Sequence, residues 1–114
     1  MGDKSQAVTV TATYTFESAH QLPRLPPEHK CSRLHGHNYR LDVCVRGPLD
    51  QRGFVLDFAE LDAIVQPLVD VVDHRYLNDI EGLDNPTAEV IALWFRDRLK
   101  PKLPGLALTV RLWE

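Results

Sequence analysis

An unbroken alternation of residue types runs through residues 8–20. The apolar side chains and His20 fall on even positions, whereas the odd positions are mainly threonine and include Glu17. Successive side chains of an extended chain point to opposite faces, so this pattern predicts a long, half-buried β-strand. Its apolar face carries His20 at the end of the strand.

Two later segments alternate in the same way. Residues 37–46 place Tyr39 and Leu41 on one parity with His37, and residues 106–114 place three leucines on one parity with Glu114. Residues 21–36 contain three prolines, which exclude this stretch from the middle of a sheet. The sequence therefore predicts three strands, with a proline-rich loop after the first.

Two helices are predicted between the second and third strands. Apolar residues at helical spacing follow Asp57, which forms a capping-box pattern with Glu60, and predict a helix over 57–72. The second helix is predicted from Asn85 as N-cap, with Pro86 at its first position, to about Lys100.

The predicted order of strand, strand, helix, helix, strand lacks β-α-β alternation. This order favours an α+β fold in which an antiparallel sheet carries two helices on one face. The length suits a single domain over residues 1–114. A domain this small gains from oligomerisation, which covers apolar surface and can build sites between subunits.

Composition excludes several classes of partner. The net charge of −3 with 25% charged residues lacks the basic excess of a nucleic-acid or membrane-surface binder. The opening residues MGDKSQ are short and polar, so we expect no signal peptide, no membrane segment and a cytoplasmic location. Two cysteines are too few for a disulfide scaffold and are expected to be free thiols or a catalytic group.

Three histidines form the strongest chemical signal. In an extended segment, the two imidazoles of His35-Gly36-His37 project to the same side. His20 ends the first strand on its apolar face, which makes it the natural third ligand. Three neutral histidines leave one position of a tetrahedral zinc ion open, as catalytic sites require. A lone His-x-His tripeptide also occurs by chance, so the prediction of a zinc centre depends on His20.

Cys31 lies four residues before His35, beside Lys30 and Arg33. Neighbouring cations favour a thiolate, so this cysteine is a candidate base or nucleophile. The alternatives are a fourth zinc ligand and an inert thiol. Cys44 lies on the polar parity of its strand and is predicted to be structural.

Acidic groups complete the candidate residues. Asp73 precedes His74 and can fix its tautomer, although a surface pair in a loop is an equal alternative. Glu114 falls on the apolar parity of the last strand, where a carboxylate is costly unless something binds it. A planar ligand with neighbouring N–H groups would suit it, and a side chain free in solvent is the alternative.

These residues stand in stretches that resemble the 6-pyruvoyl-tetrahydropterin synthase family, most closely its bacterial 6-carboxy-tetrahydropterin synthase branch of queuosine biosynthesis. The similar stretches cover nearly the whole chain in the same order: FESAHQLP, PPEHKCSRLHGHNY, GFVLDFAEL, VDHRYLNDIEGLDNPTAEVIALW and VRLWE. The resemblance implies the tunnelling fold, in which antiparallel sheets of neighbouring subunits close into a barrel. It also implies a homo-oligomer, a hexamer, with sites at subunit boundaries.

The resemblance further implies a role for each candidate residue. His20, His35 and His37 match the zinc ligands, Cys31 the catalytic cysteine, Asp73 and His74 the pair that works with it, Glu114 the carboxylate that anchors the pterin ring, and Glu89 an acidic position near the pterin pocket. The implied activity is that of a lyase that converts 7,8-dihydroneopterin triphosphate to 6-carboxy-5,6,7,8-tetrahydropterin. Alternatives are a 6-pyruvoyl-tetrahydropterin synthase, an aldolase-like activity and a non-catalytic zinc module.

Overall fold

The three strands form a single antiparallel sheet in the order β1-β2-β3. The computed structural model describes residues 6–114. Its elements in chain order are β1 (Ala7–His20), a 3₁₀ turn (Lys30–Ser32), β2 (His35–Pro48), α1 (Phe58–Val72), a 3₁₀ turn (Leu77–Asp79), α2 (Ala88–Leu99), a 3₁₀ turn (Lys100–Lys102) and β3 (Ala107–Trp113). Within these residues, no helix has the length and apolar character needed to cross a membrane.

The pairing of β1 with β2 runs along the full 14 residues of each strand and sets His20 directly opposite His35. This pairing explains why β2 begins at His35, two residues before the predicted start near His37. The ladder continues past the apolar alternation, which begins only at His37. Both ends of the His-Gly-His sequence therefore lie in regular strand.

The predicted apolar faces are confirmed as the inner side of the sheet. Phe16 of β1 stacks on Tyr39 of β2, with ring centroids 4.8 Å apart, and lies 6.0 Å from Phe95 of α2. Buried residues of both helices join the same cluster: Leu61, Val65, Val69 and Val72 from α1, and Ile91, Trp94, Phe95 and Leu99 from α2. The α+β arrangement, with an antiparallel sheet and two helices, is confirmed.

The start of α1 differs in detail from the predicted capping box. Asp57 caps the helix, but its side chain accepts the N–H of Ala59 at 2.8 Å. Glu60 pairs instead with Arg52 at 3.0 Å. The reciprocal bond of a capping box is therefore absent here, because Arg52 engages Glu60. The helix continues through Pro67 to Val72, as the apolar spacing predicts.

The predicted start of α2 was wrong. Thr87 is the N-cap, since its hydroxyl accepts the N–H of Val90 at 3.1 Å, and the helix begins at Ala88. Asn85 does not cap the helix, and Pro86 lies before its first turn. A threonine two residues later supplies the same capping chemistry as Asn85. The carbonyl of Pro86 is thereby free to bond outside the helix.

The outer face of the sheet contains a buried carboxylate that the alternation did not predict. Asp42, on the polar parity of β2, is only 5% exposed. It accepts two hydrogen bonds from Arg40, both at 3.1 Å, and one from Thr13 at 2.9 Å. The bidentate bond to Arg40 holds the pKa of Asp42 below its usual value. Cys44 is buried on the same face, where the Thr11 hydroxyl donates to its sulfur at 3.3 Å, as suits a structural thiol.

We predict that Asp42→Asn lowers the urea midpoint of unfolding at pH 7. A carboxylate with a lowered pKa in the folded state stabilises the fold above its unfolded pKa, about 3.9. That stabilisation is lost as the pH falls through the folded pKa, so the difference between variant and parent should shrink in acid. Asp97→Asn is the control, because Asp97 and its partner Arg96 are both exposed. An equal effect of the two substitutions at pH 7 would contradict the prediction.

Candidate metal centre and neighbouring groups

Three imidazoles converge at one end of the sheet. His20 closes β1 and is fully buried, while His35 and His37 open β2 and are partly buried. One nitrogen from each ring lies within 4.8 Å of the others. The strand pairing places two rings directly across from each other, and the two-residue period of β2 places the third on the same face. The structure therefore brings together all three predicted metal ligands.

The hydrogen bonds of two rings fix which nitrogens are available. Nδ1 of His20 lies 2.8 Å from the carbonyl oxygen of Pro86, and Nδ1 of His35 lies 2.7 Å from that of Arg33. A carbonyl oxygen only accepts, so each Nδ1 must carry the proton. In the neutral rings each Nε2 then presents a lone pair, and these two Nε2 atoms are 2.9 Å apart. Two lone pairs at this distance require positive charge between them, either a shared proton or a metal ion, and the three converging imidazoles are the donor set of a metal site.

Burial keeps His20 in the form that binds metals. Desolvation by burial is the largest cause of the lowered pKa of His20, and this shift favours the neutral imidazole. The hydroxyl of Tyr39 lies 3.3 Å from Nδ1 of the same ring and is itself buried, which raises the pKa of Tyr39. His20 is therefore a neutral ligand in a packed setting.

Glu114 lies beside this cluster. Its Oε2 atom is 3.2 Å from Nε2 of His37, and about a third of each side chain is exposed. The position follows from the pairing of β3 with β2, which sets Trp113 opposite Arg40 and directs the next residue towards the start of β2. The carboxylate can thus meet a ligand seated at the histidines.

Asp73 and His74 lie against Glu17, on the edge of β1 that faces away from β2. The peptide N–H of Glu17 donates to Oδ1 of Asp73 at 3.0 Å, and this bond is the largest cause of the lowered pKa of Asp73. The same Oδ1 lies 2.9 Å from Nδ1 of His74. The ionised Asp73 can therefore hold the proton on Nδ1 of His74. His74 is exposed and Asp73 partly exposed, so the pair also lies at the surface. An open cavity of about 620 Å³ is bordered by both His74 and the metal-ligand candidate His37.

Cys31 occupies the 3₁₀ turn of the loop after β1. Its carbonyl accepts the N–H of Leu22 at 2.9 Å, and its N–H donates to Nδ1 of His29 at 3.0 Å. The turn is therefore tied to the chain just beyond His20. In the part of the chain that the structure describes, Cys31 is not a member of the histidine cluster, and no hydrogen bond joins it to the Asp73-His74 pair.

Glu89 is exposed in the first turn of α2. Its helix approaches the metal centre through Pro86, whose carbonyl bonds His20. The carboxylate of Glu89 makes no hydrogen bond or ion pair with other residues among 6–114.

Comparison with known proteins agrees with this arrangement. Residues 9–114 match the 6-pyruvoyl tetrahydropterin synthase family. The chain belongs to this family. It is 45% identical over 100 residues to 6-carboxy-5,6,7,8-tetrahydropterin synthase of Synechocystis, which covers 82% of this chain and 76% of that protein. It is 40% identical over 102 residues to dihydroneopterin monophosphate aldolase of Pyrococcus furiosus, covering 88% and 83% of the two chains.

The fold is likewise that of the family. The structure of 6-pyruvoyl tetrahydropterin synthase from Caenorhabditis elegans superposes with a TM-score of 0.79 at 27% identity and covers 96% of each chain. The resemblance inferred from the sequence is confirmed, and with it the prediction of an enzyme of the 6-pyruvoyl tetrahydropterin synthase family.

Sequence reasoning missed three contributors to this region. Two are backbone carbonyls, those of Arg33 and Pro86, which fix the tautomers of their histidines and leave no signal in residue type. The third is Glu17, which contacts both Asp73 and His74. Glu17 interrupts the run of threonines on the polar parity of β1, and this change of residue type could have marked it as a candidate site residue.

We predict that the purified chain binds one zinc ion. His35→Ala removes a ligand, so it should weaken zinc affinity by more than about 100-fold, the upper end of the loss caused by removing a group that only hydrogen-bonds to a ligand. Zinc content after dialysis, measured by atomic emission, checks this. Cys31→Ala and the control His29→Ala should retain the metal, because neither residue belongs to the cluster. Loss of zinc from Cys31→Ala would show a closed structural site instead.

Proposed function

We propose that the chain is a zinc-dependent 6-carboxytetrahydropterin synthase. It would convert 7,8-dihydroneopterin triphosphate and one water molecule to 6-carboxy-5,6,7,8-tetrahydropterin, acetaldehyde and triphosphate, in queuosine biosynthesis. The observation that carries the proposal is the cluster of three imidazoles, in which the Nε2 atoms of His20 and His35 face each other and His37 lies beside them. The 45% identity to a protein of this name supports the choice of reaction.

The proposed metal is zinc, held by His20, His35 and His37. Neutral imidazoles are ligands that zinc accepts readily, and three of them leave a position for substrate. When bound, zinc supplies Lewis acidity to substrate oxygens and acidifies the neighbouring C–H and O–H groups. The hydrogen bonds to the Pro86 and Arg33 carbonyls keep two of the rings aimed at this point.

Proton transfer is assigned to Cys31, Asp73 and His74. Asp73 fixes the tautomer of His74 so that Nε2 can take or give a proton. The cavity that His74 shares with His37 supports a common reaction space. Cys31 acts as the second acid-base group, from the turn tied to Leu22.

The pterin ring is assigned to Glu114, with Glu89 as a weaker candidate. A carboxylate accepts two parallel N–H bonds from a planar ring, and Glu114 lies within reach of a ligand at the histidines. Arg24, Lys30 and Arg33, all exposed in the loop after β1, are candidates to meet the triphosphate.

The working form is proposed to be a homo-oligomer, a hexamer whose sheets close into the barrel of the tunnelling fold. Support comes from the small size of the chain and from the sheet itself. Along residues 7–16, β1 pairs only with β2 among the described strands, so its other edge offers backbone groups to a neighbouring subunit. An assembly of this kind would place reaction centres at subunit boundaries. We propose a cytoplasmic location and no nucleic-acid or membrane partner.

A second candidate activity is the aldol cleavage of a dihydroneopterin phosphate. The 40% identity to a dihydroneopterin monophosphate aldolase over 88% of the chain favours its inclusion. A 6-pyruvoyl-tetrahydropterin synthase is the third, supported by the family match. The three activities differ in their products, and the aldolase differs also in acting on a monophosphate.

We predict that the zinc-loaded protein converts 7,8-dihydroneopterin triphosphate to 6-carboxytetrahydropterin, acetaldehyde and triphosphate, as identified by mass analysis. A pyruvoyl pterin without acetaldehyde would instead establish the 6-pyruvoyl activity. Faster turnover of dihydroneopterin monophosphate, offered separately, would establish the aldolase.

The matched control for this experiment is a pair of cysteine variants. Cys31→Ala should lose about 10²- to 10⁴-fold in turnover, the range that a positioned acid-base group supplies, while keeping its zinc. Cys44→Ala should stay active, because Cys44 is buried on the outer face of the sheet. Full activity of Cys31→Ala would contradict the assigned role.

A further inference from the structure

His74 adopts a backbone conformation that its neighbours must maintain. Its φ is 55°, and among residues 6–114 it is the one residue other than glycine with a positive φ. The Cβ of an L-residue is crowded in this region, so such conformations persist only where surrounding contacts fix them, often at functional sites. Here the N–H of His74 donates to the carbonyl oxygen of Glu17 at 2.6 Å.

Glu17 holds the Asp73-His74 pair through both of its peptide groups. Its carbonyl fixes the backbone of His74, and its N–H donates to the Asp73 oxygen that faces Nδ1 of His74. Any residue other than proline could supply these two bonds at position 17. The glutamate side chain therefore needs a separate explanation.

The side chain of Glu17 reaches the nitrogen of His74 that Asp73 leaves free. Its Oε2 lies 3.6 Å from Nε2 of His74, a distance at which the two groups form an ion pair when the ring carries a proton on both nitrogens. The imidazole thus stands between two carboxylates, one on each ring nitrogen. Both side chains are exposed and border the cavity that also reaches His37, so the arrangement lies where substrate can approach.

We propose that Glu17 is a positioning residue that orients the imidazole of His74 for proton transfer. Asp73 fixes the Nδ1 side of the ring, and the carboxylate of Glu17 attracts the Nε2 side when that nitrogen carries its proton. The inference rests on the proposed function, in which His74 moves protons at the pterin substrate.

The test compares Glu17→Gln with Glu81→Gln in the full zinc-loaded chain. Glutamine keeps the backbone bonds and the size of Glu17 and removes only the charge. Glu81 is an exposed glutamate whose carboxylate forms no ion pair within the described residues. Steady-state kinetics with 7,8-dihydroneopterin triphosphate and the ¹⁵N chemical shifts of the His74 ring, assigned by their loss in His74→Asn, are measured for each.

For Glu17→Gln we expect kcat to fall about tenfold, with KM unchanged within about twofold. The loss is smaller than the rate enhancement of about 100-fold or more that a positioned acid-base group supplies, because His74 itself remains. The Nε2 shift of His74 should change in Glu17→Gln and not in Glu81→Gln, with equal zinc content in both. The proposal is overturned if the Nε2 shift of His74 is unchanged in Glu17→Gln. It is also overturned if the parent is active and Glu17→Gln has the same kcat. If the parent itself fails to turn over this substrate, the proposed function fails, and the Nε2 shift alone decides whether Glu17 positions His74.

Discussion

The register between β1 and β2 is the constraint on which the rest of the molecule depends. It pairs His20 with His35 and Ser18 with His37 at the end of a ladder that also buries Phe16 and Tyr39. Because side chains alternate with a period of two, a slip of one residue would move His20 to the opposite face from the other two histidines. The same slip would expose the apolar side chains of β1. Packing of the core and convergence of the imidazoles are thus fixed by one set of backbone hydrogen bonds.

The helices and loops act on the metal centre through backbone atoms. The segment before α2 brings the Pro86 carbonyl to His20, and the segment after α1 returns to the edge of β1. There Ser18 donates its hydroxyl to the Val72 carbonyl, just before the Asp73-His74 pair. Asn78 makes two hydrogen bonds with the backbone of Gln21, which fixes the chain directly after His20. The end of α1 and the segment before α2 therefore both make contacts near the candidate reaction centre.

The sequence was sufficient for the parts governed by period and residue type. The two-residue alternation predicted the strands and the inner face, and the parity of His20 and His37 predicted their meeting. It could not resolve Asn85 from Thr87 as the cap of α2, since both residue types cap helices and stand two positions apart. Nor could it show that Asp42 is buried, because that depends on Arg40 folding back along its own strand. The carbonyls of Pro86 and Arg33 carry no side-chain signal at all.

The central claim is that three neutral imidazoles, without Cys31, hold a catalytic zinc ion. Zinc-edge X-ray absorption of the zinc-loaded protein tests it most directly. The account predicts nitrogen and oxygen neighbours at about 2.0–2.2 Å with imidazole scattering and no sulfur. A sulfur neighbour at about 2.3 Å would contradict it, because Cys31 would then be a ligand in a closed site rather than a group that moves protons.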